Sequence, residues 1–413
     1  MKRILVDSEE YGTRIGIVED GVLVELVYEQ KNSMPIVGNI YAGKIMNILP
    51  GMQAAFVDIG QDKNAFLYYG DNKDEKGNVI KPKSGSEVLV QVEKAGIGKK
   101  GSVLTRKISF PGKFIVVIPN DSRIGISKKI TDPEERQRIK NVVREVLPEG
   151  YGVIVRTDGE GKSDETYKKE IERLIKRSED VLNRSKYAKA PALLYTDANG
   201  VVKVVRDFFH RDIDEIVTNS TEDYELLKKL CQELDIPESK IKLHDDGTSL
   251  FGAYYVEGQA KAAFNKQVWL KSGGFLIIEQ TEACVVIDVN TGKYTGKADL
   301  GKTILKTNLE AAEEIARQLR LRNLNGMIIV DFIDMKSEQD RQAVQKKLEE
   351  AVSKDSLQTI VVGMTELGLM QLTRKKKRES LMHLMTRACP CCGGSGRVPI
   401  SKDIKSDGNN NLS

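Results

Sequence analysis

The chain has 413 residues, 40% of them hydrophobic and 30% charged, with a net charge of +4, three histidines and five cysteines. That length predicts several subdomains, and so small a net charge says little about partners until its distribution is considered. Three histidines exclude a ribonuclease with paired histidines as acid and base, and a three-histidine zinc hydrolase; five cysteines exclude a disulfide framework. No apolar run approaches the roughly 20 residues that span a bilayer. The start, Met1-Lys-Arg-Ile-Leu-Val-Asp7, meets charge too early for a secretory signal, so a cytoplasmic protein without a membrane span is expected.

Taken in chain order, Thr13-Arg-Ile-Gly-Ile-Val and Val22-Leu-Val-Glu-Leu-Val flank Glu19-Asp20-Gly21, a hairpin signal. From Gly38 to about Asn120, short alternating runs such as Ala54–Ile59 and Ala65–Tyr69 are separated by Gly, Asn and Asp. Even spacing with Lys-rich loops predicts a small closed barrel of the OB-fold type. Tyr41, Phe56 and Phe66 either form a stacking platform for single-stranded bases or fill the barrel core. From Lys94 to Lys107 there are five basic residues and no acidic one; Lys100, with Phe56 and Phe66, is the RNA-binding candidate here.

From 121 to 215 the pattern is mixed. A helix around Pro133 to Leu147 leads into a strand, Gly152-Val-Ile-Val-Arg156-Thr157, and a charged helix from Asp164 to about Arg184. Gly159-Glu-Gly161-Lys162-Ser163 is not a phosphate loop, because that motif requires Gly where Arg156 stands. Arg156 and Thr157 suit a terminal phosphate, through a forked guanidinium and a hydroxyl, or are a surface pair without a ligand. Ala192-Leu-Leu-Tyr195 and Val201-Val-Lys-Val-Val205 around Asn199-Gly200 predict a second hairpin. A helix near Asp223 to Leu234 and a hairpin over Ser272-Gly273-Gly274 follow.

Two apolar runs then end in aspartate: Ala283-Cys-Val-Val-Ile-Asp288-Val-Asn290 and Gly326-Met-Ile-Ile-Val-Asp331-Phe-Ile-Asp334. Between them Ile304, Leu305, Leu309, Ala312, Ile315, Ala316 and Leu319 make one helical face, with Arg320 and Arg322 in the last turn and Gly326 as the stop. Strand, helix, strand is the parallel crossover, which places both strand ends at one sheet edge. There the carboxylates either hold a hard cation or begin a turn. Asp334 and Glu282 are secondary candidates for a second ion, with a turn or surface role the simpler reading. A helix from Ser337 to Ser353, a strand at Thr359–Val362 and the basic run Arg374-Lys-Lys-Lys-Arg378 follow, then a further helical stretch. Cys389-Pro390-Cys391-Cys392 supplies one C-x-x-C step and no second. Either two subunits share a zinc, or Cys391 and His383 complete a site within one chain, or the thiols are free. Lys402 to Ser413 is polar and expected to be disordered.

In this order the segments resemble the ribonuclease E/G family, from residue 1 to about 398. They are Asn39-Ile-Tyr-Ala-Gly-Lys-Ile with Gln53-Ala-Ala-Phe-Val-Asp58, Gly152–Thr157, Ile287-Asp288-Val-Asn290-Thr-Gly292, Thr307-Asn-Leu-Glu-Ala-Ala312 through Ala316-Arg-Gln-Leu-Arg-Leu-Arg322, Asp331-Phe-Ile-Asp-Met335, and Cys389–Cys392. The resemblance implies a multidomain chain of α+β and α/β parts. An RNase H-like platform (1–37 and 216–278) is interrupted by an OB-fold barrel (38–120) and an RNA 5′-end sensor (121–215). A DNase I-like catalytic domain (279–385), a zinc link (386–400) and a tail (401–413) complete it. It further implies a Mg²⁺-dependent endoribonuclease acting on single-stranded RNA in processing and decay, stimulated by a 5′-monophosphate. Water would be the nucleophile, leaving 5′-phosphate and 3′-hydroxyl ends. Asp288 and Asp331 would ligate Mg²⁺, and Asn290 would hydrogen-bond within the site. Arg156 and Thr157 would hold the 5′-monophosphate, and Cys389 and Cys392 would share Zn²⁺ with a second subunit in a homodimer or higher assembly. The competing reading is a non-catalytic single-stranded RNA-binding protein, in which the Asp pair is structural.

Overall fold

The computed structural model describes residues 1–30, 36–70, 79, 81–96, 101–197, 200–208, 213–233, 236–292, 300–376 and 378–392. Lys100, Asn199, the end of the cysteine segment (393–400) and the tail 401–413 lie outside these residues. The chain forms two units: residues 1–22 with 29–257, and residues 23–28 with 258–413.

The first unit opens with β1 (Lys2–Ser8) antiparallel to β2 (Gly12–Glu19). The chain reaches β3 (Val22–Gln30) through Asp20 and Gly21, at φ of 48° and 80°, the left-handed pair that a tight hairpin turn of this hand requires. Next, β4 (Ile40–Leu49), β5 (Ala54–Asp58), β6 (Ala65–Tyr68), β7 (Glu87–Lys94) and β8 (Val103–Thr105) form the expected closed barrel. Closure comes from β4 pairing with both β5 and β7, while β8 joins β6 to β7. Tyr41, Ile45, Val57, Leu67 and Val90 fill its interior, so Tyr41 is a core residue.

A four-stranded sheet follows in the order β11-β12-β10-β9, from β9 (Phe110–Pro111), β10 (Ile115–Pro119), β11 (Ile124–Ile126) and β12 (Tyr151–Val155). Helices α1 (Pro133–Val146) and α2 (Asp164–Ser185) share a core with it through Ile139, Val143, Tyr167 and Leu174. Asp132 caps α1, accepting from the Glu134 N–H at 3.0 Å, and Ser163 caps α2, accepting from that of Thr166 at 3.3 Å. Starting α2 is therefore what the Gly-Lys-Ser ending does. β13 (Ala192–Tyr195) joins β4, but the hairpin expected around Asn199-Gly200 does not form. Gly200–Phe208 is instead helix α3, with Val201, Val204 and Val205 buried at helical spacing. Burial of that face outweighs the strand preference of valine. After it, β14 (Glu215–Thr218), α4 (Thr221–Glu233) and β15 (Ile241–Leu243) complete a sheet in which β14 is parallel to both β1 and β15. Short helices α5 (Leu250–Ala253) and α6 (Glu257–Ala262) lead onward.

The second unit holds a six-stranded sheet in the order β16-β17-β18-β19-β21-β20. Its strands are β16 (Gln267–Trp269), β17 (Phe275–Gln280), β18 (Cys284–Asn290), β19 (Gly326–Asp331), β20 (Thr359–Met364) and β21 (Leu369–Arg374). β18 and β19 run parallel, joined by the helical crossover α7 (Leu300–Leu321). One sheet face is covered by α7 and α8 (Glu338–Val352), where Ile315, Leu319, Val344 and Leu348 meet Ile287, Val289 and Val330. Residues of the opposite face alternate with these and are exposed or half-buried.

Two local expectations change. α7 ends before Gly326; Asn323 makes the left-handed turn at φ 48°, and Gly326, at φ 85°, opens β19. Arg374 belongs to β21 and is only 4% exposed, its Nε 2.7 Å from Asp355 Oδ2. A buried, paired guanidinium is not part of a solvated or phosphate-binding run. After the basic run comes α9 (Leu381–Met385). Among the described residues no helix is long and apolar enough to cross a membrane.

Candidate active site

Asp288 and Asp331 are register partners across the parallel pair β18–β19. In-register neighbours point to the same face, and adjacent strands lie about 4.8 Å apart, so the two carboxylates stand side by side. Both are exposed, on the face that the helices leave uncovered. Asn290, two residues further along β18 and so on the same face, donates from Nδ2 to Asp288 Oδ2 at 2.8 Å. These three predicted residues therefore come together. Like charges directly across a sheet are unfavourable, and such a placement suits a site that recruits a cation. The donors are hard oxygens at the surface, open to water, which fits Mg²⁺.

Neighbouring elements hold this corner rigidly. Asn308 of α7 is fully buried, and its side chain donates to Ile333 O at 2.8 Å and accepts from Ile333 N at 3.1 Å, fixing the chain just past Asp331. Glu310 accepts from the Lys271 and Ser272 N–H groups and so fixes the turn between β16 and β17. Gly292 sits at φ +60°, where an added Cβ would be 2.4 Å from Gly273 O; one at Gly274 would be 2.7 Å from Asn290 O. Only glycine permits that approach of the turn to the end of β18. In the sequence Asn308 shows only as an amide within an otherwise apolar helical stripe, the signal of a buried hydrogen-bonding role. Of the secondary candidates, Glu282 lies at the opposite end of β18, about 20 Å of strand from Asp288, and cannot share its ion. Asp334 is exposed, and among the described residues no group of three or more His, Cys, Asp or Glu could hold a metal.

In the first unit, Arg156 directly follows β12. Its N–H donates to Phe114 O at 2.7 Å, and its Nη1 donates to Gly112 O at 3.1 Å and lies 3.7 Å from Asp207 Oδ1. Glu170 holds the same loop, accepting from the N–H of Lys113 at 2.6 Å and of Phe114 at 3.1 Å. Burial raises the Glu170 carboxyl above its usual range; burial, then repulsion from Lys162, pushes the Lys113 ammonium down to about 8. Thr157 is exposed, its Oγ1 2.9 Å from Ser127 Oγ. Ser127 had no signal in the sequence, because only folding brings it to the end of β12.

Phe56 and Phe66 are register partners on β5 and β6, half-buried, with ring centroids 6.2 Å apart. They alternate with the buried Val57 and Leu67, so they belong to the outside of the barrel. Cys389 and Cys391 are exposed, Cys392 is half-buried, and none is in a disulfide. His383 and Cys391 are not gathered with them into a site within the chain. Cys231 is a core residue, whereas Cys284 is only half-buried.

A family model described as "Ribonuclease E/G family" matches residues 109–377. The ribonuclease G of Escherichia coli (strain K12) is 40% identical over 417 residues, covering 97% of this chain and 85% of its own. The ribonuclease G of Haemophilus influenzae shows the same identity and coverage, 40%, 97% and 85%. The ribonuclease E of E. coli K12 is 37% identical across 98% of this chain, which matches 40% of that longer protein.

Asn308 offers a direct test of the scaffold. Replacing it with Ala strips both backbone groups of Ile333 of their partner, and a loss of about 1–3 kcal/mol is expected in denaturant unfolding. An unfolding midpoint equal to that of the unaltered protein would show that Asn308 does not hold this segment.

Proposed function

Because this chain belongs to the ribonuclease E/G family, and is an endoribonuclease of that type, we propose that it hydrolyses single-stranded RNA at the Asp288–Asp331 pair. The carrying observation is the register that sets these carboxylates side by side on an exposed sheet face. Asp288 and Asp331 would hold Mg²⁺, and Asn290 fixes one oxygen of Asp288, leaving the other for the ion. When bound, Mg²⁺ supplies positive charge to the scissile phosphate and makes water a competent nucleophile near neutral pH. Two carboxylates would suit an ion that keeps several of its own waters. Attack by water leaves 5′-phosphate and 3′-hydroxyl ends. The scarcity of histidine, three in the chain, agrees with a route that does not use paired imidazoles.

The remaining assignments rest on local geometry and on the family resemblance. Arg156 and Thr157 present a forked cation and a hydroxyl at one strand end, which supports a 5′-monophosphate sensor. Phe56 and Phe66 on the outside of the barrel support base stacking there. The parallel strands β1, β14 and β15 support an RNase H-like platform. Cys389 and Cys392 are one C-x-x-C pair, half of a four-sulfur zinc site, which supports a Zn²⁺ shared with a second subunit. RNA processing and decay in the cytoplasm is the setting we assign.

Three outcomes follow from these assignments. Asp288→Asn and Asp331→Asn should each lower Mg²⁺-dependent cleavage by about a hundredfold or more, with RNA affinity nearly unchanged. Cleavage that persists in either variant removes the metal-ligand assignment. Arg156→Ala should abolish any rate preference for 5′-monophosphate over 5′-hydroxyl RNA, and a surviving preference rules Arg156 out as the sensor. Changing Cys389 and Cys392 together to Ser should convert a dimer to a monomer in sedimentation, whereas an unaltered mass refutes a shared zinc.

A further inference from the structure

The exposed face of the second unit's sheet carries an aromatic pair that the cleavage chemistry leaves unused. Trp269, at the end of the edge strand β16, is 66% exposed. Its ring packs against Phe275 with centroids 5.4 Å apart and planes at 62°, an edge-on contact that leaves indole surface free. Trp269 is the register partner of Phe275, and Phe275 is the register partner of Asn290. Directly opposed residues of an antiparallel ladder share a face, so Trp269, Phe275 and Asn290 form one row across the sheet. The row beside it runs from Ile277 through Asp288 to Asp331. Two strand spacings, about 10 Å, separate the Trp269 strand from the Asp288 strand.

We propose that Trp269, braced by Phe275, is a stacking platform for an unpaired base of the RNA strand beside the cleavage centre. This rests on the reading of Asp288 and Asp331 as that centre. A lone exposed indole is ordinary on a protein surface, and its neighbours decide what it can bind. Toward the cleavage centre the row continues in polar Asn290, with Asp288 and Asp331 in the row beside it, so the exposed indole adjoins the groups that would meet a nucleotide strand. Lys271, exposed in the turn that follows Trp269, adds positive charge for a backbone phosphate. Base stacking on an aromatic ring depends little on sequence but needs a base that is not paired. Trp269 is thus a positioning residue that favours single strands.

Trp269 is the only tryptophan in the chain, so all tryptophan emission reports on it. The experiment titrates full-length Asp331→Asn protein in Mg²⁺ with an unlabelled, unstructured, 5′-monophosphorylated decaribonucleotide, while anisotropy of a fluorescein-labelled copy measures binding separately. Saturable quenching that tracks the anisotropy curve is expected, with no quenching by a blunt duplex of the same sequence. Unchanged emission at saturating RNA, or equal quenching by the duplex, overturns the platform. In the catalytically intact protein, Trp269→Ala should raise KM about tenfold with kcat little altered, and Trp269→Phe should restore most of the loss. A fall in kcat that Phe does not rescue points to a structural role and overturns the proposal. Failure of the parent reading looks different: Asp331→Asn still cleaves the RNA, or no RNA binds at all, and the platform falls with it.

Discussion

Parallel pairing of β18 with β19, held in register by the α7 crossover packed beneath, puts two carboxylates at one level of one sheet face. Each strand contributes its alternate residues to the core under the helices, Val285, Ile287 and Val289 from one and Ile328 and Val330 from the other. The polar ends of both strands then have no choice of face. Asp288 and Asp331 are thus placed by hydrophobic burial on the other side of the sheet, and no contact between the two anions is needed to bring them together.

Around this corner the polar contacts act on the backbone and on one of the two carboxylates. Asn308 satisfies the backbone of Ile333, Glu310 satisfies that of the turn at Lys271 and Ser272, and Asn290 orients Asp288. The close approach at Gly292 and Gly274 locks the turn against the end of β18. A metal or phosphate site needs its ligands held to a fraction of an ångström, and side chains on strands, backed by buried hydrogen bonds, meet that need better than loops do.

The parts of this arrangement that were legible in the sequence are those governed by periodicity and turn chemistry. Apolar spacing from Ile304 to Leu319 gave α7, Asp20-Gly21 gave the first hairpin, and two apolar runs ending in Asp gave the paired strands. Val201 to Val205 misled because its valines favour strands, yet Val201, Val204 and Val205 already carried helical spacing. Arg374 stands among charged neighbours in the chain, while the partner that buries it, Asp355, lies in a distant segment. The same holds for Ser127 beside Thr157 and for Trp269 beside Phe275: these are meetings of residues remote in the chain or across a turn, which local pattern does not register. For Phe56 and Phe66 the sequence leaves the inside and the outside of the barrel open, and strand alternation against buried Val57 and Leu67 puts them outside.

The two-residue repeat of a strand has a consequence for how this chain tolerates changes of length. One residue added or removed inside Cys284–Asn290 or Gly326–Asp331 would swing an aspartate through the sheet and bury it beneath the helices. The gene therefore contains two short windows in which spacing is locked.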